Sequence, residues 1–199
     1  MKKTSDLVRL TVLSKYGGVW MDASILCLRP LTELLPATYP GVDFVGYFLS
    51  PFTTLPSSPV IESWFFAAKK GCRFVKLWAE EFTRIDRFET ADAYVADVVA
   101  SGVDLQKIDA PAYLAIHVAA QKVLQKQHVD RSTLKLFDAI DGPLKYLYNA
   151  NWDSKSALES LKDPRSEDRR HVTIVKMRGP ERDILTGFSP QDAALVLHH

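Results

Sequence analysis

"YGGVWMDAS", residues 16–24, is the stretch on which the reading of this chain turns. Its two glycines, Gly17 and Gly18, permit a sharp turn and close approach of backbone to a ligand. The run Val19-Trp20-Met21 reads as a short strand driven into the core. Asp22 leaves that strand at its carboxyl end, the edge at which open α/β sheets bind ligands. A carboxylate placed there is costly to bury unless it is paired or bound to a cation. Two roles stay open on local grounds. Asp22 caps the following turn, or it faces a divalent ion on a diphosphate, since Mg²⁺ and Mn²⁺ take one or two carboxylates plus phosphate oxygens. Ser24 stands where a second acid would complete a pair.

The segment before it, "TSDLVRLTVLSKYGG", reads as a helix. Thr4 or Ser5 supplies a cap, Asp6 falls in the first turn where the helix dipole favours a negative charge, and Gly17 stops it. Asp6, Arg9, Leu13 and Tyr16 share one face by their spacing, with Leu7, Leu10 and Ser14 on the neighbouring one. Asp6 and Arg9 therefore form a polar pair facing the glycine turn. Such a pair suits a ribose hydroxyl and a phosphate, or is an ordinary ion pair on a helix surface.

Farther along, "ILCLRPL" and "VDFVGYFL" predict strands, and "LSPFTTLPSSP" predicts a loop. "VIESWFFAAKKG" is ambiguous between helix and strand. Helices are expected over "CRFVKLWAEEFTRI", "TADAYVADVVAS" and "PAYLAIHVAAQKVLQKQ", with short ones at "GPLKYLYNAN" and "SKSALESLKD". "DPRSEDRR" reads as a charged loop, "HVTIVKM" as a late strand, and "SPQDAALVLHH" as a helix capped by Ser189. No repeat or low-complexity segment occurs. A helix, short strands, many helices and one late strand describe a single α/β or α+β domain over residues 1–199.

The bulk composition narrows the class. Of 199 residues, 47% are apolar and 25% charged, which is ordinary for a globular domain with a real core. With 25 basic and 24 acidic residues the net charge is +1, so nothing points to nucleic acid or a polybasic membrane surface. No run approaches the roughly 20 apolar residues of a membrane span, and the start lacks a signal peptide's apolar stretch. Cys27 and Cys72 show no metal-ligand spacing and are expected to be buried thiols in a reducing compartment. His117 is expected to be a satisfied core or boundary histidine, and Trp20 and Trp78 to pack in the core. Trp64 is the better aromatic for a site, beside Glu62 and Ser63. Lys176, Arg178 and Arg182 crowd together in "KMRGPERD", facing a diphosphate or standing as a solvated turn.

"SDLVRLTVLSKYGGVWMDASILCLRPL" resembles the signature segment of sugar transferases of the capsular polysaccharide synthesis family. It is similar in turn to the wider group with an Asp-any-Asp motif, which includes yeast outer-chain mannosyltransferases and the large clostridial glucosylating toxins. "WFFAAKKGCRFVKLWAEEF" and "HVTIVKM" resemble later blocks of the same family, though only the first thirty residues carry specific motifs. The resemblance implies a glycosyltransferase type-A α/β fold that is helix-rich and, in this chain, lacks the first nucleotide-binding strands, which the family places ahead of the helix. It implies transfer from a nucleoside diphosphate sugar, a UDP-sugar first among them, to a glycan acceptor in capsular or surface polysaccharide synthesis, with retention at the anomeric carbon.

Residue by residue, the resemblance gives Asp6 and Arg9 the nucleotide-sugar grip, and gives Gly17, Gly18, Trp64 and Lys176 supporting contacts. Asp22 and Ser24 would hold Mn²⁺ or Mg²⁺, with Asp22 and Arg9 as the catalytic pair. It places the protein in the cytoplasm, peripherally at the inner membrane face. Missing front strands would leave an apolar sheet edge that a homo-oligomer could cover. The shortened front and the Ser24 substitution equally suit an inactive transferase-like module that binds glycan or protein.

Overall fold

The computed structural model describes residues 2–197. Its contacts group the chain into two compact units. The first takes the chain up to Met21 together with Leu34–Leu136; the second takes Asp22–Glu33 together with the chain from Phe137 onward. The class is mixed α/β, as the alternating patterns predict.

In the first unit, α1 (Lys2–Tyr16) contains no glycine or proline and buries Leu10 and Leu13 on its inner face. It begins before Thr4, so neither Thr4 nor Ser5 caps it and Asp6 lies beyond its first turn, contrary to the expectation from sequence. Gly17 ends it as expected, with φ +69° and its amide donating to the Leu13 carbonyl at 2.9 Å. The strands β1 (Gly18–Met21), β3 (Phe44–Phe48), β4 (Ile61–Ala68) and β5 (Leu134–Asp138) form one sheet in the order β1-β4-β3-β5, with β2 (Ile25–Cys27) belonging elsewhere. The β1–β4 and β3–β4 pairings are antiparallel.

β4 is one of the two inner strands, buried along nearly its whole length. That accounts for its ambiguous pattern, because a strand covered on both faces loses the alternation by which strands are read. β1 is an edge strand. Val19 and Met21 are exposed, so the expectation that the whole run drives into the core is corrected, a strand with one neighbour being covered on fewer sides, while Trp20, half-buried, packs against the core as expected. The helices α2 (Arg73–Thr83), α3 (Ala91–Ala100) and α4 (Ala115–Lys126) pack with the sheet around Phe44, Phe66, Phe74, Trp78 and Tyr94. The Trp78 indole Nε1–H donates to the Ile116 carbonyl at 2.7 Å, tying α2 to α4.

The second unit pairs β2 antiparallel with β6 (Ile174–Lys176), Ile25 standing opposite Lys176 and Cys27 opposite Ile174. Around this ribbon lie α5 (Lys145–Asn149), α6 (Ser154–Lys162), α7 (Glu167–Arg170), α8 (Gly179–Thr186) and α9 (Pro190–Leu197). Tyr146, Leu147, Leu158, Ile174 and Val175 are buried. α7 occupies the stretch read from sequence as a charged loop; Arg169 within it is buried, which no pattern of charges announces. Ser189 caps α9 as expected, its hydroxyl accepting from the Asp192 amide at 3.1 Å, although the last two residues of that segment fall outside the described ones. Cys72 is buried and burial pushes its thiol pKa up, whereas Cys27, on the short two-stranded ribbon, is exposed rather than buried. Among the described residues no helix is long and apolar enough to cross a membrane.

Candidate functional site

The residues singled out in the sequence fall into two constellations, one in each unit. The first is built on Arg9. Its guanidinium is buried and donates to the Ser63 carbonyl at 2.7 Å and to Ser63 Oγ at 3.2 Å, so α1 is tied to β4. A second guanidinium nitrogen lies 3.0 Å from Asp6 Oδ1 and 3.4 Å from Ser5 Oγ. The same group stacks over the Trp20 ring at 5.0 Å. Arg9 thus spans α1, β1 and β4 in the way its planar fork allows and a lysine would not. Asp6 and Arg9 are together, as their three-residue spacing predicts.

Gly17 and Gly18 take φ +69° and +106°, the left-handed region that the turn reading requires. A β-carbon at Gly17 would lie 2.5 Å from the Lys70 amide nitrogen and 2.9 Å from the Ala68 carbonyl oxygen, so the close approach here is to the protein's own β4–α2 connection. Trp64 is buried and stacked on Tyr47 at 5.2 Å, which places it in the packing of β3 against β4. Glu62 and His117 meet as a buried pair at 3.4 Å, with His117 Nδ1 lacking a hydrogen-bond partner among the described residues. Both residues stand out in the sequence, but 55 positions separate them and no pattern links them. A cleft of about 660 Å³ in this unit, lined in part by Phe48, Ser50, Arg131 and Lys135, includes none of the residues predicted for the site.

The second constellation is Asp22, Ser24 and Lys176. The Asp22 carbonyl accepts from the Ile25 amide at 3.1 Å, closing the turn into β2. The register of β2 against β6 then sets Lys176 beside Ser24. Lys176 Nζ donates to Ser24 Oγ at 2.6 Å and to the Met177 carbonyl at 3.0 Å, and it stands 3.8 Å from Asp22 Oδ2. All three lie within the second unit. In the same unit, Trp152 is partly exposed on a left-handed backbone, φ +64°, with the guanidinium of Arg178, two residues after Lys176, 5.4 Å from its ring. Arg178 itself is paired with buried Glu181 at 2.7 Å, so it is committed to the helix α8 more than to a ligand.

The donor set does not fit the divalent ion that the resemblance implies. One carboxylate and one neutral hydroxyl are the expected ligands, and the ammonium of Lys176 already reaches both. A second cation there would meet it at close range, where like charges repel. Among the described residues no cluster of three or more His, Cys, Asp or Glu side chains is placed to hold a metal.

Comparison with known proteins bears out the capsular polysaccharide synthesis resemblance over the front of the chain. Residues 1–87 match the family described as capsular polysaccharide synthesis protein. The O-glycosyltransferase braB of Annulohypoxylon truncatum is 30% identical over 86 residues, 41% of this chain and 20% of its own length. Glycosyltransferase afumC of Aspergillus fumigatus is 33% identical over 81 residues, 40% of this chain and 20% of its own. Subversion of eukaryotic traffic protein A of Legionella pneumophila is 24% identical over 180 residues, 82% of this chain and 27% of its own. The matched stretch thus spans between 20% and 27% of the length of these relatives. No solved structure matches the chain.

Proposed function

We propose that this chain, whose first 87 residues match the capsular polysaccharide synthesis family, is a glycosyltransferase of the type-A fold. It moves a sugar from a nucleoside diphosphate sugar, a UDP-sugar first among them, to a hydroxyl of a glycan acceptor in surface polysaccharide synthesis. The observation that carries this reading is the family match itself, because it includes the Asp6–Arg9 helix, the Gly17-Gly18 turn and Asp22 in one continuous segment. The glycosyltransferase relatives are similar over about the same length of chain.

In the reaction, the bond from the anomeric carbon to the diphosphate oxygen breaks and its electron pair stays on the diphosphate. The acceptor hydroxyl oxygen bonds the anomeric carbon, and its proton passes to the released nucleotide or to water. Asp6 accepts hydrogen bonds from sugar or ribose hydroxyls. Arg9, anchored to Ser63, holds Asp6 in position and lends positive charge to that end of the donor. Gly17 and Gly18 hold the turn that leads to the strand before Asp22, and Trp64 supports the sheet beneath. Asp22 orients the donor from the turn after β1, and Lys176 meets the phosphates. Retention at the anomeric carbon and a place at the cytoplasmic face of the membrane belong to the same proposal.

A screen of UDP- and GDP-sugars for hydrolysis and for transfer tests it. Asp22→Ala is expected to lower turnover at least a hundredfold, a loss of roughly 3 kcal/mol in transition-state stabilisation. Asp22 is partly exposed, so the melting temperature should hold. Full activity in a folded Asp22→Ala protein would sink the assignment.

A further inference from the structure

Building on the transferase reading, we propose that Lys176 is the resident cation of the Asp22–Ser24 site, its ammonium standing in for a divalent metal, so that donor binding needs neither Mn²⁺ nor Mg²⁺. The placement is built by the backbone. Opposite Ile25 in the β2–β6 register, Lys176 has its amide donating to the Pro143 carbonyl at 3.0 Å and its carbonyl accepting from the Tyr146 hydroxyl at 2.9 Å. The next amide, that of Met177, donates to the Ser24 carbonyl at 2.9 Å. Three long-range hydrogen bonds therefore fix the segment from which the side chain departs, and that side chain is only 12% exposed.

Charge supports the same assignment. A two-acid motif with a divalent ion is locally neutral. Here the second acid is the neutral Ser24, and one carboxylate with one ammonium is neutral as well. Replacing the acid by a hydroxyl thus removes one negative charge from the motif, and Lys176 brings half the charge of the ion. An ammonium is an established phosphate binder acting as a point charge. During transfer, as the bond between the anomeric carbon and the diphosphate breaks and the electron pair stays on the leaving oxygen, the Lys176 ammonium offsets the charge that collects there.

The test is calorimetric titration of UDP, and in parallel of GDP, into the purified protein, once in EDTA and once in Mn²⁺. Wild type is expected to bind equally in both, within about twofold. Lys176→Met should weaken binding roughly tenfold or more in EDTA, the cost of a lost charged hydrogen bond, and Mn²⁺ should recover part of it. Lys176→Arg, which keeps the charge, should fall between the two, and circular dichroism checks that each variant folds. Wild-type binding that requires Mn²⁺, or EDTA binding unchanged in Lys176→Met, overturns the inference while leaving a metal-dependent transferase standing. Absence of UDP and GDP binding under both conditions removes the transferase reading and this inference with it.

Discussion

At Gly17 the chain must turn from α1 into β1 while lying against the Ala68–Lys70 backbone, and only a residue without a β-carbon does both. Gly17→Ala meets left-handed strain and a backbone clash together, for a cost of about 2–4 kcal/mol. Gly18→Ala, at φ +106° with nothing within 4 Å of the added carbon, meets strain alone and should cost about 1–2 kcal/mol. Urea unfolding decides between them: the midpoint should fall further for Gly17→Ala, and equal midpoints would mean that the turn relaxes away from Lys70. The importance of this glycine pair was legible in the sequence, as was the Asp6–Arg9 pair, because both rest on local spacing. The partners of Arg9 were not. Ser63 is 54 residues away, and only the sheet brings it to α1. Lys176 is a sharper case. Resemblance placed it near the site, but its contact with Ser24 bridges 152 residues through a strand pairing that no local pattern encodes.

Among the elements, those with a regular period and two unlike faces were readable. α2, with Phe74, Trp78 and Phe82 turned inward, follows its apolar spacing closely. Elements that break the contrast between faces were not. β4 is largely buried on both faces, and α7 is built from charges. The position of β1 at a sheet edge was equally hidden, since strand order is a property of the whole sheet. α7 shows what its charge pattern concealed. Arg169 Nη1 donates to the Leu161 carbonyl at 2.8 Å and to the Leu195 carbonyl at 2.6 Å, groups near the carboxyl ends of α6 and α9. Carbonyls in a helix's last turn have no partner within that helix, so one buried guanidinium joins two helix ends. We expect Arg169→Met to destabilise the second unit by about 2–3 kcal/mol, the range for a lost charged hydrogen bond with its acceptors left behind. Arg169→Lys should lose less. Hydrogen exchange reads the result locally: amides of α6 and α9 should exchange faster in Arg169→Met, and unchanged protection there would show that α7 holds nothing in place.

For the molecule as a whole, near-neutral net charge conceals a set of carboxylates that favour folding only while ionised. Glu181 is the most enclosed of them. Burial by itself pushes its pKa up, but hydrogen bonds from the Arg178 side chain, from Ser154 and from the Arg178 amide outweigh burial and hold it below the usual 4.5. Asp97 in the first unit is lowered chiefly by its hydrogen bond from Arg84, and Asp192 in the second by Ser189 and Lys162. A lowered folded-state pKa means that the unfolded chain takes up protons first as the pH drops. The stabilisation is therefore complete above the unfolded value and is lost as pH falls through the folded one. Melting temperature should stay level from pH ~7 down to ~5 and then decline steadily toward pH ~3. Glu181→Gln removes one contributor. It should melt lower than wild type at neutral pH, because Arg178 loses its charged partner, and its acid decline should be shallower. Both proteins, followed by circular dichroism across that range, give the check. Parallel acid slopes for the two proteins would mean that the Glu181–Arg178 pair does not couple folding to protonation and would move the acid sensitivity to the other carboxylates, and a wild-type melting temperature that stays flat below pH ~4.5 would mean that none of them couples the two.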